Sequence, residues 1–173
     1  MQKRVFQLLA DNTSGVLSRI AGLFSRRGYN IESITAGATA DPRYSRVTIV
    51  TNGDDEILDQ IEKQVAKLVD VKDVKVLEPD SSVYRELVLI KVRANHENRR
   101  NIIEISNLFR TRIIDTSPES LIIELTGETA KIDAFITMLG DFEILEIART
   151  GITGLSRGAD DIFYPSEEED EFY

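Results

Sequence analysis

The sequence predicts an α+β chain built from two successive βαββαβ units, and three observations carry that expectation. Apolar residues switch repeatedly between short alternating runs and longer stretches at three- and four-residue spacing. The order of those switches in residues 1–78 returns in residues 84–158, as a repeat of architecture with little residue identity. Between them, Glu78-Pro79-Asp80-Ser81-Ser82 is polar, periodless and carries a proline, which marks 79–83 as a linker. A length of 173 residues fits two small domains, and 42% apolar with 29% charged residues can build their cores.

The elements follow in order. Lys3–Ala10, with Val5, Phe6, Leu8 and Leu9, is a strand that stops at the polar Asp11-Asn12-Thr13-Ser14. From Gly15 the period changes: Val16, Leu17, Ile20, Ala21, Leu23 and Phe24 mark an amphipathic helix. Arg26 and Arg27 suit its negative end, and Gly28 suits the position just past it. Ile31–Ala38 is a strand, Ala40-Asp41-Pro42-Arg43 a turn, and Arg46–Thr51 a third strand ending at Asn52-Gly53. Ile57, Leu58, Ile61, Val65 and Leu68 give a second helix, and Val71–Leu77 a fourth strand. This is the ferredoxin-like split βαβ order. After the linker come Tyr84–Ala94 (strand), Glu97–Phe109 (helix), Thr111–Thr116 and Leu121–Thr126 (strands), Lys131–Leu139 (helix, with Thr129 as its cap) and Phe142–Thr150 (strand).

Charge and composition remove several functions. The net charge is −9, but Ala159–Tyr173 holds seven acids and no base, so the body is left at −2. A near-neutral body lacks the footprint of a phosphate-backbone binder. The candidate base-stacking strands, Val5–Ala10 and Arg46–Thr51, offer only Phe6 as an aromatic, which sets aside an RNA-binding version of this element order. The acidic end lacks the glycine turn and ligand alternation of a calcium loop and is expected to be a disordered, solubilising tail. Zero cysteine excludes disulfides, thiolate metal sites and a thiol nucleophile. The one histidine, His96, lies in a polar strand-to-helix turn and reads as a solvated turn or cap residue. Ser14 has no assignable base, and no nucleophile elbow, phosphate loop or dinucleotide fingerprint is present. No apolar run reaches the roughly 18–20 residues of a membrane span. Val5–Ala10 is too short, and broken by Gln7, for a signal peptide, so a cytoplasmic location is expected.

The informative segment is the first strand-to-helix junction, Asp11-Asn12-Thr13-Ser14-Gly15-Val16-Leu17. A helix N-terminus presents unpaired N–H groups and a partial positive charge, which can receive a carboxylate. Gly15 lets a ligand approach the backbone, and the Asn12 amide both donates and accepts, as a zwitterion requires. Ordinary capping by Ser14 or Asp11 explains the same residues equally well. Asn30 sits just past the far end of this helix, so a single chain does not bring both asparagines to one pocket. If both serve one ligand, two chains share the site, which implies a symmetric dimer.

At these residues the sequence resembles a known family. Asp11-Asn12-x-x-Gly15-Val16-Leu17-Ser18-Arg19 and Arg27-Gly28-Tyr29-Asn30-Ile31-Glu32-Ser33 are similar to the ACT domain of the small regulatory subunit of acetolactate (acetohydroxyacid) synthase. The resemblance continues through Asp41-Pro42, Ser45-Arg46 and Lys67-Leu68-Val69-Asp70-Val71. It then runs through Arg85-Glu86-Leu87, Ile113-Ile114-Asp115, Asp133-Ala134-Phe135 and Arg149-Thr150-Gly151 to Gly158. The resemblance implies an amino-acid-binding ACT domain over 1–78, an ACT-like second domain over 84–158, and a non-catalytic regulator. It implies activation of a catalytic subunit that carries thiamine diphosphate, magnesium and FAD, with no cofactor in this chain. It further implies feedback by valine or another branched-chain amino acid, bound by Asn12, Gly15, Val16 and Leu17 of one chain and Asn30 and Ile31 of its dimer mate. In the second half Asn95-His96-Glu97-Asn98-Arg99-Arg100 stands where the ligand loop would be, so no equivalent amino-acid site is expected there. A free-standing ACT-type sensor of another partner would carry the same motif.

Overall fold

The computed structural model describes residues 1–159; the expected acidic tail lies, from residue 160 onward, outside them. They form two compact units. The first is Met1–Val83 joined by the segment from Gly154, and the second is Tyr84–Thr153.

In the first unit β1 (Gln2–Asp11), α1 (Val16–Arg27), β2 (Ile31–Ala38), β3 (Tyr44–Gly53), α2 (Asp55–Val65) and β4 (Val71–Val76) follow the expected order. The sheet runs β2-β3-β1-β4, with every neighbour antiparallel. Phe6, Leu8 and Ala10 of β1 and Val47 and Ile49 of β3 face the helices. There they meet Val16, Ile20, Leu23 and Phe24 of α1 and Leu58, Ile61 and Val65 of α2. Helical spacing thus becomes one buried stripe per helix, and most of the unit's stability comes from closing those stripes on the sheet. The opposite face is closed as well: Val5, Gln7 and Leu9 of β1 and Thr48 and Val50 of β3 are all buried.

The second unit repeats the layout. It contains β5 (Ser82–Arg93, its first two residues belonging to the first unit), α3 (Arg99–Leu108), β6 (Arg112–Thr116), β7 (Ser120–Gly127), α4 (Thr129–Met138) and β8 (Ile144–Arg149). These strands run β6-β7-β5-β8. Val88, Ile90, Val92, Leu121, Ile123 and Leu125 from the sheet pack on Ile102, Ile132, Phe135 and Leu139.

The structure corrects the sequence reading at three places. The expected linker is only partly irregular: Pro79–Ser81 forms a 3₁₀ turn, for which proline pre-sets φ, and Ser82 already starts β5. Residues 154–158, expected with the second domain, belong to the first unit. A short strand, β9 (Thr153–Ser156), was not foreseen, and Gln7 Nε2 donates to Gly154 O (2.6 Å), Lys75 Nζ to Ser156 Oγ (2.8 Å) and Arg157 N–H to Ser81 O (2.7 Å). The reason is polar satisfaction, because Gln7 is buried and its amide must find a partner. Thr129 is the first residue of α4 rather than its cap, and its hydroxyl donates to Glu86 Oε2 (3.2 Å).

That last bond belongs to the second unit's main ionic feature. Glu86 keeps 4% of its side chain exposed, and Arg149 grips both its oxygens (Nε–Oε1 2.7 Å, Nη2–Oε2 3.0 Å) while Nη1 reaches Asp133 Oδ1 (3.0 Å). The carboxylates raise the Arg149 pKa above its ordinary value, Glu86 foremost through its hydrogen bonds. Breaking such a pair strands a buried charge, so Arg149→Met is expected to cost on the order of 3 kcal/mol in urea unfolding. Glu86→Leu added to it is expected to recover part of that loss; a double variant as unstable as the single would refute the assignment.

Candidate functional site

β1 lies between β3 and β4, and the loop leaving its C-terminal end is held from both neighbours. On the β3 side Asn12 N–H donates to Arg43 O (2.7 Å), Asn12 Nδ2 to Pro42 O (3.0 Å), and Ser45 Oγ to Asn12 Oδ1 (3.0 Å). On the β4 side Asp11 N–H donates to Asp70 O (2.8 Å), and Lys72 Nζ stands 3.6 Å from the Asp11 carboxylate.

Gly15 ends the loop. It has φ +86° and ψ −10°, the left-handed region that glycine enters without steric penalty, and it occupies the cap position of α1. No side chain caps the helix, so the alternative of ordinary capping by Ser14 or Asp11 does not occur. Arg19 N–H donates to Gly15 O (2.9 Å), the first helical bond, and the N–H groups of the first turn therefore point outward without an intrahelical acceptor. The junction combines a backbone cradle, a missing Cβ and partial positive charge, which suits a carboxylate.

The other expected residues divide. Val16 is buried among the core residues, so only its backbone can serve a ligand, whereas Leu17 is 47% exposed beside it. The Asn12 amide is already engaged on the β2–β3 turn, which leaves one N–H and one acceptor position for anything else. Asn30 and Ile31 lie past the other end of α1, whose 12 residues span about 18 Å. There Gly28, with φ +68°, closes the helix, and the chain turns into β2. The Asn30 side chain is exposed, its carbonyl accepts from Thr51 Oγ1 (2.5 Å), and Ile31 is half-buried against the core. The structure thus groups Asn12, Gly15, Val16 and Leu17 and keeps Asn30 and Ile31 apart from them within one chain.

Two residues quoted for the resemblance had been given no role at this junction. Arg19 reaches back along α1 and binds Asp70 with two nitrogens, Nε to Oδ2 (2.5 Å) and Nη2 to Oδ1 (2.9 Å). Hydrogen bonding to Arg19 holds the Asp70 carboxyl below the usual carboxylate range, and the Arg19 pKa rises correspondingly, so both are fully charged at neutral pH. The spacing of Gly15 and Arg19 was a usable signal, since residues four apart share a helix face; nothing local in the sequence pointed to Asp70.

The matching loop of the second unit is built otherwise. Arg99 Nη2 donates to Ser117 O (2.5 Å) and Pro118 O (3.0 Å), the bridging role that Asn12 has in the first unit. Asn95 Oδ1 accepts from the N–H groups of Glu97 and Asn98 (both 2.9 Å), closing the loop on itself. His96 stays in this exposed turn, as expected. Among the described residues no group of three or more His, Asp or Glu could hold a metal ion, and no helix is long and apolar enough to cross a membrane.

Comparisons with known proteins cover both units. Residues 6–73 match the family described as the AHAS small subunit-like ACT domain, and residues 85–158 that of the small subunit of acetolactate synthase. A probable acetolactate synthase small subunit of Methanothermobacter thermautotrophicus is 50% identical over 156 residues, which are 90% of this chain and 93% of that protein. The Escherichia coli acetolactate synthase isozyme 3 small subunit is 46% identical over 157 residues, 90% of this chain and 96% of that one. The crystal structure of the acetolactate synthase small subunit from Thermotoga maritima superposes with a TM-score of 0.85 at 42% identity, covering 92% of this chain and all of that one. Two ferredoxin-like units, the first with an ACT-type loop, and relatives matched over nearly their whole length place this chain in the acetolactate synthase small-subunit family.

Proposed function

We propose that this chain regulates a catalytic acetolactate synthase subunit in branched-chain amino acid biosynthesis: it docks on that subunit, raises its rate, and confers feedback inhibition by valine or another branched-chain amino acid. The catalytic subunit supplies thiamine diphosphate, magnesium and FAD, this chain contributes no cofactor, and both work in the cytoplasm. The observation that carries the reading is the left-handed Gly15 at the uncapped start of α1 in a small-subunit ACT unit, a receptor for the carboxylate of a free amino acid.

A symmetric dimer completes the site. Among the described residues β2 pairs only with β3 and so lies at the edge of its sheet, and its Ile34 is 39% exposed. Antiparallel pairing of two β2 edges about a two-fold axis sets the start of one against the end of the other. Asn30 and Ile31 of one chain then approach the β2–β3 turn that Asn12 holds in its mate, beside Gly15, Val16 and Leu17. The asparagines receive the polar ends of the amino acid and Ile31 packs its side chain.

Acetolactate formation by the cognate catalytic subunit, with and without this chain over a valine titration, tests the whole reading. Stimulation that valine reverses is expected, with a coupling of about 1–3 kcal/mol between the sites; a rate indifferent to the chain would overturn it. Gly15→Asp sets a carboxylate against the ligand's own, and is expected to weaken valine binding by calorimetry by two orders of magnitude or more. Asn30→Ala is expected to weaken it about tenfold. The shared site has its own test, because mixing these two variants makes hybrid dimers with one intact site each. About a quarter of all sites are then expected to recover, whereas no recovery on mixing would confine the site to one chain.

A further inference from the structure

We propose that Arg19, locked onto Asp70, is a positioning residue for the amino-acid effector: the ion pair holds the β1–α1 loop in its receptive shape from the β4 side, opposite the Asn12 clamp. This rests on the reading of that loop as the effector site and adds the device that pre-forms it.

Four observations support it. Both neighbours of β1 tie down the loop, Asn12 through Pro42, Arg43 and Ser45, and Asp11 and Arg19 through Asp70. Asp70 takes part twice, its carbonyl accepting from Asp11 N–H before the helix and its carboxylate binding Arg19 inside the first turns, so one residue brackets Gly15 from both sides in sequence. The guanidinium lies directly on the glycine: a Cβ built at Gly15 would stand 3.0 Å from Arg19 Nη1. Glycine suits the positive φ there, and a Cβ in its place would make the Arg19 guanidinium give way by a few tenths of an ångström. Finally, the pair has the forked two-bond geometry that separates specific carboxylate–guanidinium contacts from ordinary surface pairs, and the Asp70 side chain is only 13% exposed.

The physical effect is pre-organisation. A loop free to sample other shapes binds its ligand with an affinity reduced by the fraction of time it spends in the competent one. Asn12 fixes the loop's entry and cannot fix the first turn of α1, which presents the N–H groups; Arg19 and Asp70 fix that turn. Losing the pair lowers affinity through the shape of the loop.

The test uses the full chain with L-valine as probe, comparing wild type, Arg19→Gln, Asp70→Asn, their double variant and Arg19→Lys by calorimetry. Thermal melting and amide exchange of residues 12–19 are followed alongside. Each neutral single variant is expected to weaken valine binding about tenfold, as when the competent fraction falls to about a tenth. The double variant is expected to be no weaker than either single, because the two act as one unit. Arg19→Lys, which makes one bond in place of two, is expected to fall between. Exchange protection of residues 12–19 is expected to drop in the ligand-free variants and return at saturating valine, with melting within a few degrees of wild type. Single variants that bind valine like wild type would overturn the positioning role and leave the effector reading standing, and losses that multiply in the double variant would show the two residues acting separately. A wild-type chain that binds none of valine, leucine and isoleucine would remove the effector reading itself.

Discussion

β1 is buried on both faces from Val5 to Ala10 and paired on both edges, so its peptide groups have no water to turn to and must all be satisfied by β3 and β4. That constraint forbids irregularity along the strand and exports it to the end. The register against β4 slips between Leu9 and Ala10, and two residues later the chain leaves the sheet into a loop with a left-handed glycine. The functional junction stands where regular pairing stops, flanked by rigid neighbours that supply its tethers. Asn12 and Asp70 are as much consequences of this sealing as the core is, because a loop at the rim of a closed strand is positioned only by what lies beside it.

The two units show how one architecture carries different loop chemistry. Both fold around a central strand with two antiparallel neighbours and two helices on one face. In the first, a small amide bridges to the hairpin and a glycine frees the helix start. In the second, a long guanidinium bridges to the hairpin and Asn95 folds the loop on itself by accepting from the N–H groups of Glu97 and Asn98 just ahead of α3. The ionic weight of the second unit sits instead at Glu86, Arg149 and Asp133. These come from three runs that carried the family resemblance, and their convergence gives those runs a structural meaning that spacing could not.

The element order was legible because the apolar period changes at each boundary and the turns carry glycine, proline or asparagine; β2 was placed to the residue. Asn12, Gly15, Val16 and Leu17 were legible as a group because they are consecutive in the chain. Contacts between distant residues were not. Asp70 lies 51 positions from Arg19, and no local pattern announces that an acid in one loop will meet a base on another helix. Nor did Gln7 reveal its partner: a polar residue inside an apolar strand says only that something must satisfy it. The capping alternative failed for a reason sequence alone does not supply, since a left-handed Gly15 takes the cap position itself.

The hydrogen bond from Gln7 to Gly154 has a consequence in time. The first unit is discontinuous in sequence, with Tyr84–Thr153 inserted between its two parts. On the ribosome, at about 5–20 residues per second, the inserted stretch takes roughly 4–14 s to synthesise. Throughout that interval the Gln7 amide lacks its Gly154 acceptor and is left to water. The second unit can condense from a contiguous stretch of chain, and only afterwards does Gly154 arrive to close the first. The domain that begins the protein is therefore the last to be finished.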